Sequence, residues 1–136
     1  MNIVSDFATE VWEELMHKTI LVVEDYPDTR SFMKFMLEDY GYEVMEAENG
    51  EKAVETVRYH APDLILMDMS MPIMDGLTAT KTIRRLDGMA RLPIIAVTAY
   101  GKSYYRQAME AGCDDLINKP LDPDTLKPIL NQYLGH

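Results

Sequence analysis

The chain is poor in cysteine and in positive charge. With one cysteine in 136 residues, Cys113 cannot close an intramolecular disulfide, which fits a reducing compartment. It has no second cysteine and no spaced histidine partner, so neither thiol catalysis nor a thiolate metal site is expected. Lys and Arg total 13 against 23 Asp and Glu, a formal net charge of −10. Binding nucleic acid through its phosphates needs clustered basic side chains. The one basic cluster, Lys81, Arg84, Arg85 and Arg91, lies among acids, so no nucleic-acid partner is expected. No stretch approaches the ~20 apolar residues of a membrane-spanning helix, and the N-terminus lacks the basic start and apolar core of a signal peptide. The expectation is a cytoplasmic protein without membrane insertion. No internal repeat or low-complexity segment is visible, and the length suits one domain with a core of its own.

What is present is organised around Ala61 to Gly76. The apolar run Leu64 to Met67 stops at Asp68, and Pro72 and Gly76 prevent the strand from continuing. A short, continuous apolar run is the pattern of a strand buried on both faces in a parallel sheet. Ligands of such sheets sit outside the carboxyl ends of the strands, where Asp68 falls. Taken alone, Asp68 is either a functional carboxylate or a cap on the turn into the next helix.

Residues 1 to 18 precede the first strand. Val4, Ala8, Val11 and Leu15 form a stripe flanked by Ile3, Phe7 and Trp12, with Ser5, Asp6, Glu10, Glu13 and Glu14 opposite. This spacing predicts an amphipathic helix whose apolar face packs on its own domain or on a partner. Thr19 to Val23 is a buried-strand run ending at Glu24-Asp25. A helix follows from Pro27, with Phe32, Phe35, Met36 and Tyr40 as its apolar spacing and Gly41 as its stop. Further strands are expected at Val44 to Ala47, Ile94 to Val97 and Leu116-Ile117, and further helices through Ala53 to Val57, Gly76 to Leu86, Lys102 to Glu110 and from Asp122-Pro123 onward. Pro128 is expected to kink or shorten the last helix. The alternation of five strands with five helices implies a parallel sheet covered on both faces.

All strand carboxyl ends lie on one edge of such a sheet. Glu24 and Asp25, Asp68, Thr98 and Lys119 therefore converge, placing three carboxylates, a hydroxyl and an ammonium on one rim. Carboxylates crowded in this way repel unless a cation is present. Hard oxygen donors with no His or Cys point to Mg²⁺, which takes one or two carboxylates together with waters and phosphate oxygens. A carboxylate can also accept a phosphoryl group as an aspartyl phosphate, with Lys119 neutralising the transferred oxygens.

Glu24-Asp25, Asp68 with the following Met-Ser-Met-Pro-Ile-Met-Asp-Gly, Thr98-Ala99 and Lys119-Pro120 resemble the signature residues of the receiver domains of two-component response regulators. The resemblance covers roughly Lys18 to Leu134. It implies a flavodoxin-like, doubly wound sheet of five parallel strands in the order 2-1-3-4-5, an order for which a chemotaxis receiver is itself the standard example. The domain would span residues 19 to 136 behind the 1 to 18 extension. By the same resemblance Asp68 is the phosphoacceptor, and Asp25, Asp68 and the backbone carbonyl of Ser70 bind Mg²⁺ while Glu24 acts through water. Thr98 and Lys119 contact the phosphoryl group, Ala99 leaves access to it, and the Lys119–Pro120 bond is cis. The phosphodonor would be a histidine kinase or a histidine phosphotransfer protein, since His17, His60 and His136 have no kinase context.

The implied output is binding to an unknown downstream protein through the fourth and fifth helices and the last strand. Family members usually relay the signal through an aromatic residue three positions before the lysine, where this chain has Leu116. The expectation is a stand-alone signalling module that phosphorylates and dephosphorylates itself and is not a turnover enzyme; the alternative is a receiver from a larger hybrid kinase or regulator. A Mg²⁺-dependent phosphohydrolase is the rival from another class. It commonly needs a second acid two residues after the nucleophile, where Ser70 stands, and a cap insertion that is missing. A flavin-binding reading lacks a phosphate-cradling loop after the first strand.

Overall fold

The apolar runs that end at Glu24, Asp68 and Thr98 become the three central strands of one sheet. In this computed structural model, which describes residues 17–71 and 73–135, β1 is Thr19–Val23, β2 Glu43–Ala47, β3 Leu64–Asp68, β4 Ile94–Thr98 and β5 Asp115–Asn118. The helices are α1 (Pro27–Asp39), α2 (Gly50–Tyr59), α3 (Gly76–Arg84), α4 (Lys102–Ala111) and α5 (Pro123–Leu134). The strands lie in the order β2-β1-β3-β4-β5 and every pairing is parallel, as the resemblance implies. The helix expected over residues 1 to 18 and the turn assigned to Pro72 fall, but for His17 and Lys18, outside the described residues.

β3 and β4 are buried at every position, which is why their sequences run apolar without alternation. The outer strands β2 and β5 are only partly covered. One face of the sheet packs Leu21, Val23, Ile65, Met67, Ile94 and Ala96 against residues of α2, α3 and α4. The other packs Ile20, Val22, Leu64, Leu66, Ile95 and Val97 against Met33 and Leu37 of α1 and Leu126 and Leu130 of α5.

Local signals set the helix ends. Asn49, Asp75 and Asp122 each accept the backbone N–H three residues on, capping α2, α3 and α5, the ordinary N-cap bond. Gly112, at φ 115°, ends α4 in the left-handed conformation that glycine adopts without penalty.

Two expectations for the helices change. α5 continues through Pro128 to Leu134. The proline removes one backbone donor, but Leu126 and Leu130 on either side of it are buried against the sheet, and that packing carries the helix past it. In α1 the core positions are Met33 and Leu37, while Phe32 and Phe35 of the expected apolar spacing stay 59% and 70% exposed.

The basic cluster seen in the sequence is also reassigned in part. Arg84 is turned inward at the end of α3: Nε donates to the Gly112 carbonyl at 2.8 Å, and Nη1 to the carbonyls of Met89 at 3.0 Å and Leu92 at 2.5 Å.

Candidate functional site

Parallel register brings the polar strand ends together. Val23 lies beside Met67, Asp68 beside Val97 and Thr98 beside Asn118. Glu24 and Asp25 follow β1, and Lys119 follows β5, so all five expected site residues stand on the carboxyl edge of the sheet. One oxygen from each of Glu24, Asp25 and Asp68 can be chosen so that all three lie within 4.8 Å of one another.

Burial differs sharply within this group. Glu24 and Asp68 are 2% and 5% exposed, whereas Asp25 is open to solvent. Lys119 Nζ bridges the two buried carboxylates, 3.2 Å from Glu24 Oε1 and 3.3 Å from Asp68 Oδ2. The other oxygen of Asp68, Oδ1, accepts the Ser70 N–H at 3.1 Å. Both oxygens of Asp68 are thereby oriented, one by an ammonium and one by the backbone two residues on.

Burial is the first cause that pushes the Glu24 carboxyl up, to about 8, and the hydrogen bond and negative charge of Asp68 add to it, against the opposing pull of Lys119. Without a cation, the Glu24 carboxyl is thereby biased toward its protonated form. For Lys119, burial pulls downward, but the charges and hydrogen bonds of Asp68 and Glu24 outweigh it and hold the ammonium above its ordinary value. An all-oxygen donor set of this charge suits a hard divalent cation such as Mg²⁺, which would replace that proton.

Thr98 is buried at the end of β4. Its Oγ1 accepts the backbone N–H of Tyr100 at 3.0 Å, and its carbonyl accepts the Lys119 N–H at 2.8 Å. Ala99 is exposed beside it. The Tyr100 ring stacks on Tyr104 with centroids 5.7 Å apart. Leu116 and Tyr104 are both half-buried against the same core cluster. The Lys119–Pro120 peptide is cis.

Several supports were not legible in the sequence. Arg30 Nη1 donates to the Glu24 carbonyl at 2.8 Å while its Nε faces Glu46 of β2 at 3.5 Å, tying the acidic pair to α1 and the edge strand. Gly76 abuts the strand end: a Cβ there would meet the carbonyl oxygen of Asp68 and the Cα of Met69. Gly50 is similarly close to the Met74 carbonyl, which accepts its N–H. Both glycines hold the Asp68-to-Asp75 loop against neighbouring backbone. Within that loop Ile73 has φ 70°, rare for a β-branched residue. Cys113 is buried with its Sγ 3.8 Å from Thr80 Oγ1, and burial pushes the thiol up to about 11.

The sequence model of the response regulator receiver domain matches residues 20–131. Chemotaxis protein CheY of Bacillus subtilis is 43% identical over 122 residues, covering 88% of this chain and 100% of that protein. The polar-differentiation response regulator DivK of Brucella anthropi is 35% identical over 121 residues, covering 88% and 98%. Among solved structures, the receiver domain of a sensor histidine kinase from Pseudomonas aeruginosa, crystallised with a magnesium ion coordinated in its active site cleft, superposes with a TM-score of 0.82 at 35% identity, covering 88% of this chain and 99% of that one. A response regulator from Chloroflexus aurantiacus gives 0.83 at 31% identity, over 88% and 99%. The family model's match over residues 20–131, with similarity along nearly the whole length of each relative, leads to one conclusion: the chain belongs to the response regulator receiver domain family.

Proposed function

We propose that Asp68 accepts a phosphoryl group and that the chain signals through that modification. The observation that carries this reading is the Asp68 carboxylate itself, buried at the rim with one oxygen on Lys119 and the other on the Ser70 N–H. A carboxylate oxygen of Asp68 attacks phosphorus and forms a new O–P bond. The N–P bond of a phosphohistidine donor breaks, and the imidazole leaves with its electron pair. Lys119 neutralises phosphoryl oxygens, and the buried Thr98 hydroxyl donates its own hydrogen to them while its oxygen accepts the Tyr100 N–H. Exposed Ala99 leaves the approach open.

Asp25, Asp68 and the Ser70 carbonyl would hold Mg²⁺, with Glu24 acting through water. That cation supplies charge neutralisation of the phosphoryl oxygens. The magnesium-containing relative from Pseudomonas aeruginosa supports this assignment by similarity. The donor is a histidine kinase or histidine phosphotransfer protein. The output is protein binding through α4, β5 and α5, reached from Thr98 by way of Tyr100 and Tyr104, since Leu116 stands where an aromatic relay would. The chain acts as a self-phosphorylating and self-dephosphorylating signalling module and not as a turnover enzyme. It works on its own or as the receiver of a larger hybrid kinase or regulator; one structural relative is a kinase receiver.

Incubation with acetyl phosphate and Mg²⁺, followed by intact-mass measurement, tests the reading. A single phosphoryl adduct that disappears in Asp68→Asn is expected. Steady hydrolysis of phosphate esters with no adduct would overturn it in favour of a phosphohydrolase.

A further inference from the structure

The three carboxylates of the rim are not held alike. Lys119 bridges Glu24 and Asp68, and the Ser70 N–H fixes the other oxygen of Asp68. The exposed Asp25 carboxylate has no hydrogen bond or ion pair among the described residues. Its position is therefore set by the backbone from which it hangs. That backbone is fastened at two points. The Glu24 N–H donates to the Ala47 carbonyl at 3.0 Å, extending the ladder between β1 and β2. The Glu24 carbonyl, part of the peptide that leads into Asp25, accepts Arg30 Nη1 at 2.8 Å.

We propose that Arg30 is a positioning residue for the cation site: by holding the Glu24–Asp25 peptide it keeps the Asp25 carboxylate where Mg²⁺ needs it. The inference rests on the assignment of Asp25 to Mg²⁺ made above. Arg30 is itself well fixed. Its backbone N–H donates to the Tyr26 carbonyl at 2.9 Å, its Nε faces Glu46 Oε1 at 3.5 Å, and its side chain is only 19% exposed. Glu46 precedes Ala47 on β2, so both fastenings of Glu24 trace to the carboxyl end of one strand. Tyr26 gives α1 no side-chain cap, and Arg30 ties this helix start to the strand end before it. Mg²⁺ demands near-ideal octahedral geometry, so a ligand that drifts costs affinity.

Charge alone predicts the opposite sign. A guanidinium beside a cation site repels the cation, so deleting it would tighten Mg²⁺ binding if charge were its only contribution. The neighbouring groups blunt that repulsion. Glu46 lies against the guanidinium, with Lys34 Nζ 3.7 Å from its other oxygen. Glu48 and Lys52 line the same hollow of about 270 Å³, and Lys52 Nζ is 3.8 Å from Glu55. With acids and cations interleaved around Arg30, its bond to the Glu24 carbonyl is the contribution that remains.

Calorimetric titration of Mg²⁺ into the unphosphorylated full chain tests this. Groups that orient a metal ligand are typically worth about 10–100-fold in affinity. Arg30 acts through the backbone, so Arg30→Met, which keeps the apolar stem and removes every donor, is expected to raise the Kd for Mg²⁺ about tenfold, the lower end of that range. Arg30→Lys, which keeps the charge but cannot serve Glu24 and Glu46 together, is expected to fall between Arg30→Met and the parent. Lys34→Ala, which takes a cation from the same Glu46 without touching the acidic pair, is expected to leave the Kd unchanged. In acetyl phosphate labelling, Arg30→Met should need more Mg²⁺ for half-maximal rate while nearly matching the parent at saturation. An unchanged or lower Kd in Arg30→Met, even with a reduced Tm, would overturn the proposal. If that variant does not stay folded by far-UV circular dichroism, a parental Kd in Arg30→Lys overturns it instead. Asp25→Asn separates the two assignments. Weakened Mg²⁺ binding there with a parental Kd in Arg30→Met defeats the role of Arg30 alone, whereas full affinity in Asp25→Asn defeats the Asp25 assignment and this proposal with it.

Discussion

Arg84 Nη2 lies 2.9 Å from Asp114 Oδ2, and the same carboxylate oxygen accepts the N–H of Ile94 at 2.9 Å. One guanidinium thus ties the end of α3 to the loops entering β4 and β5, using carbonyls of Met89, Leu92 and Gly112 as well. Arg84→Ala is expected to destabilise the fold by about 2–3 kcal/mol, because charge-assisted bonds are lost and part-buried carbonyls are left without a donor. Arg84→Lys recovers only a fraction, since an ammonium cannot reproduce the planar fork. Urea denaturation of both variants measures this; a lysine variant as stable as the parent would remove the fork from the account.

Gly76→Ala sets two effects against each other. Alanine at a helix position favours the helix by up to ~1 kcal/mol. Its Cβ, however, would collide with the Asp68 carbonyl oxygen and with Met69, and backbone cannot rotate out of the way. Overpacking of this kind costs about 1–3 kcal/mol, so net destabilisation is expected, together with a slower yield of the acetyl phosphate adduct because the displaced backbone belongs to Asp68. Thermal melts and intact-mass time courses read the two effects separately.

The metal-free protein is expected to lose stability as pH rises. Glu24 has a folded pKa of about 8, above its ordinary 4.5, so between those values the folded state holds more protons than the unfolded one. Its stabilising contribution is full below the lower value and lost as pH passes through the upper. Mg²⁺ would take the place of that proton, so the rise in Tm that it causes should be larger at about pH 8 than at about pH 5. Melting curves at both pH values, with and without the cation, decide this; an equal rise would separate Glu24 from the cation site.

Most of the sheet was legible because its central strands are buried on both faces and therefore carry no polar residue until they end. That same property exposed the rim: Glu24, Asp68 and Thr98 stand out as the first polar groups after apolar runs. What stayed hidden depends on contacts distant in sequence. Arg84 reads as a surface charge until Gly112 and Asp114 arrive beside it, and Lys119 reaches Glu24 across 95 residues. For α1, hydrophobicity alone could not distinguish Phe32 and Phe35 from Met33 and Leu37. Both pairs are helically spaced, and only the direction from which the sheet approaches decides which is covered.

The position of β2 at the margin of the sheet bears on solubility. A strand in that position offers a row of unpaired amides and carbonyls to any other extended chain. Glu43 and Glu46 both project from β2 into solvent, so a second molecule approaching edge to edge would have to strip water from two carboxylates and meet their charge on its own β2. Glu46, which helps fasten α1 to the sheet through Arg30 and Lys34, thus also guards the open margin against fibre-like growth.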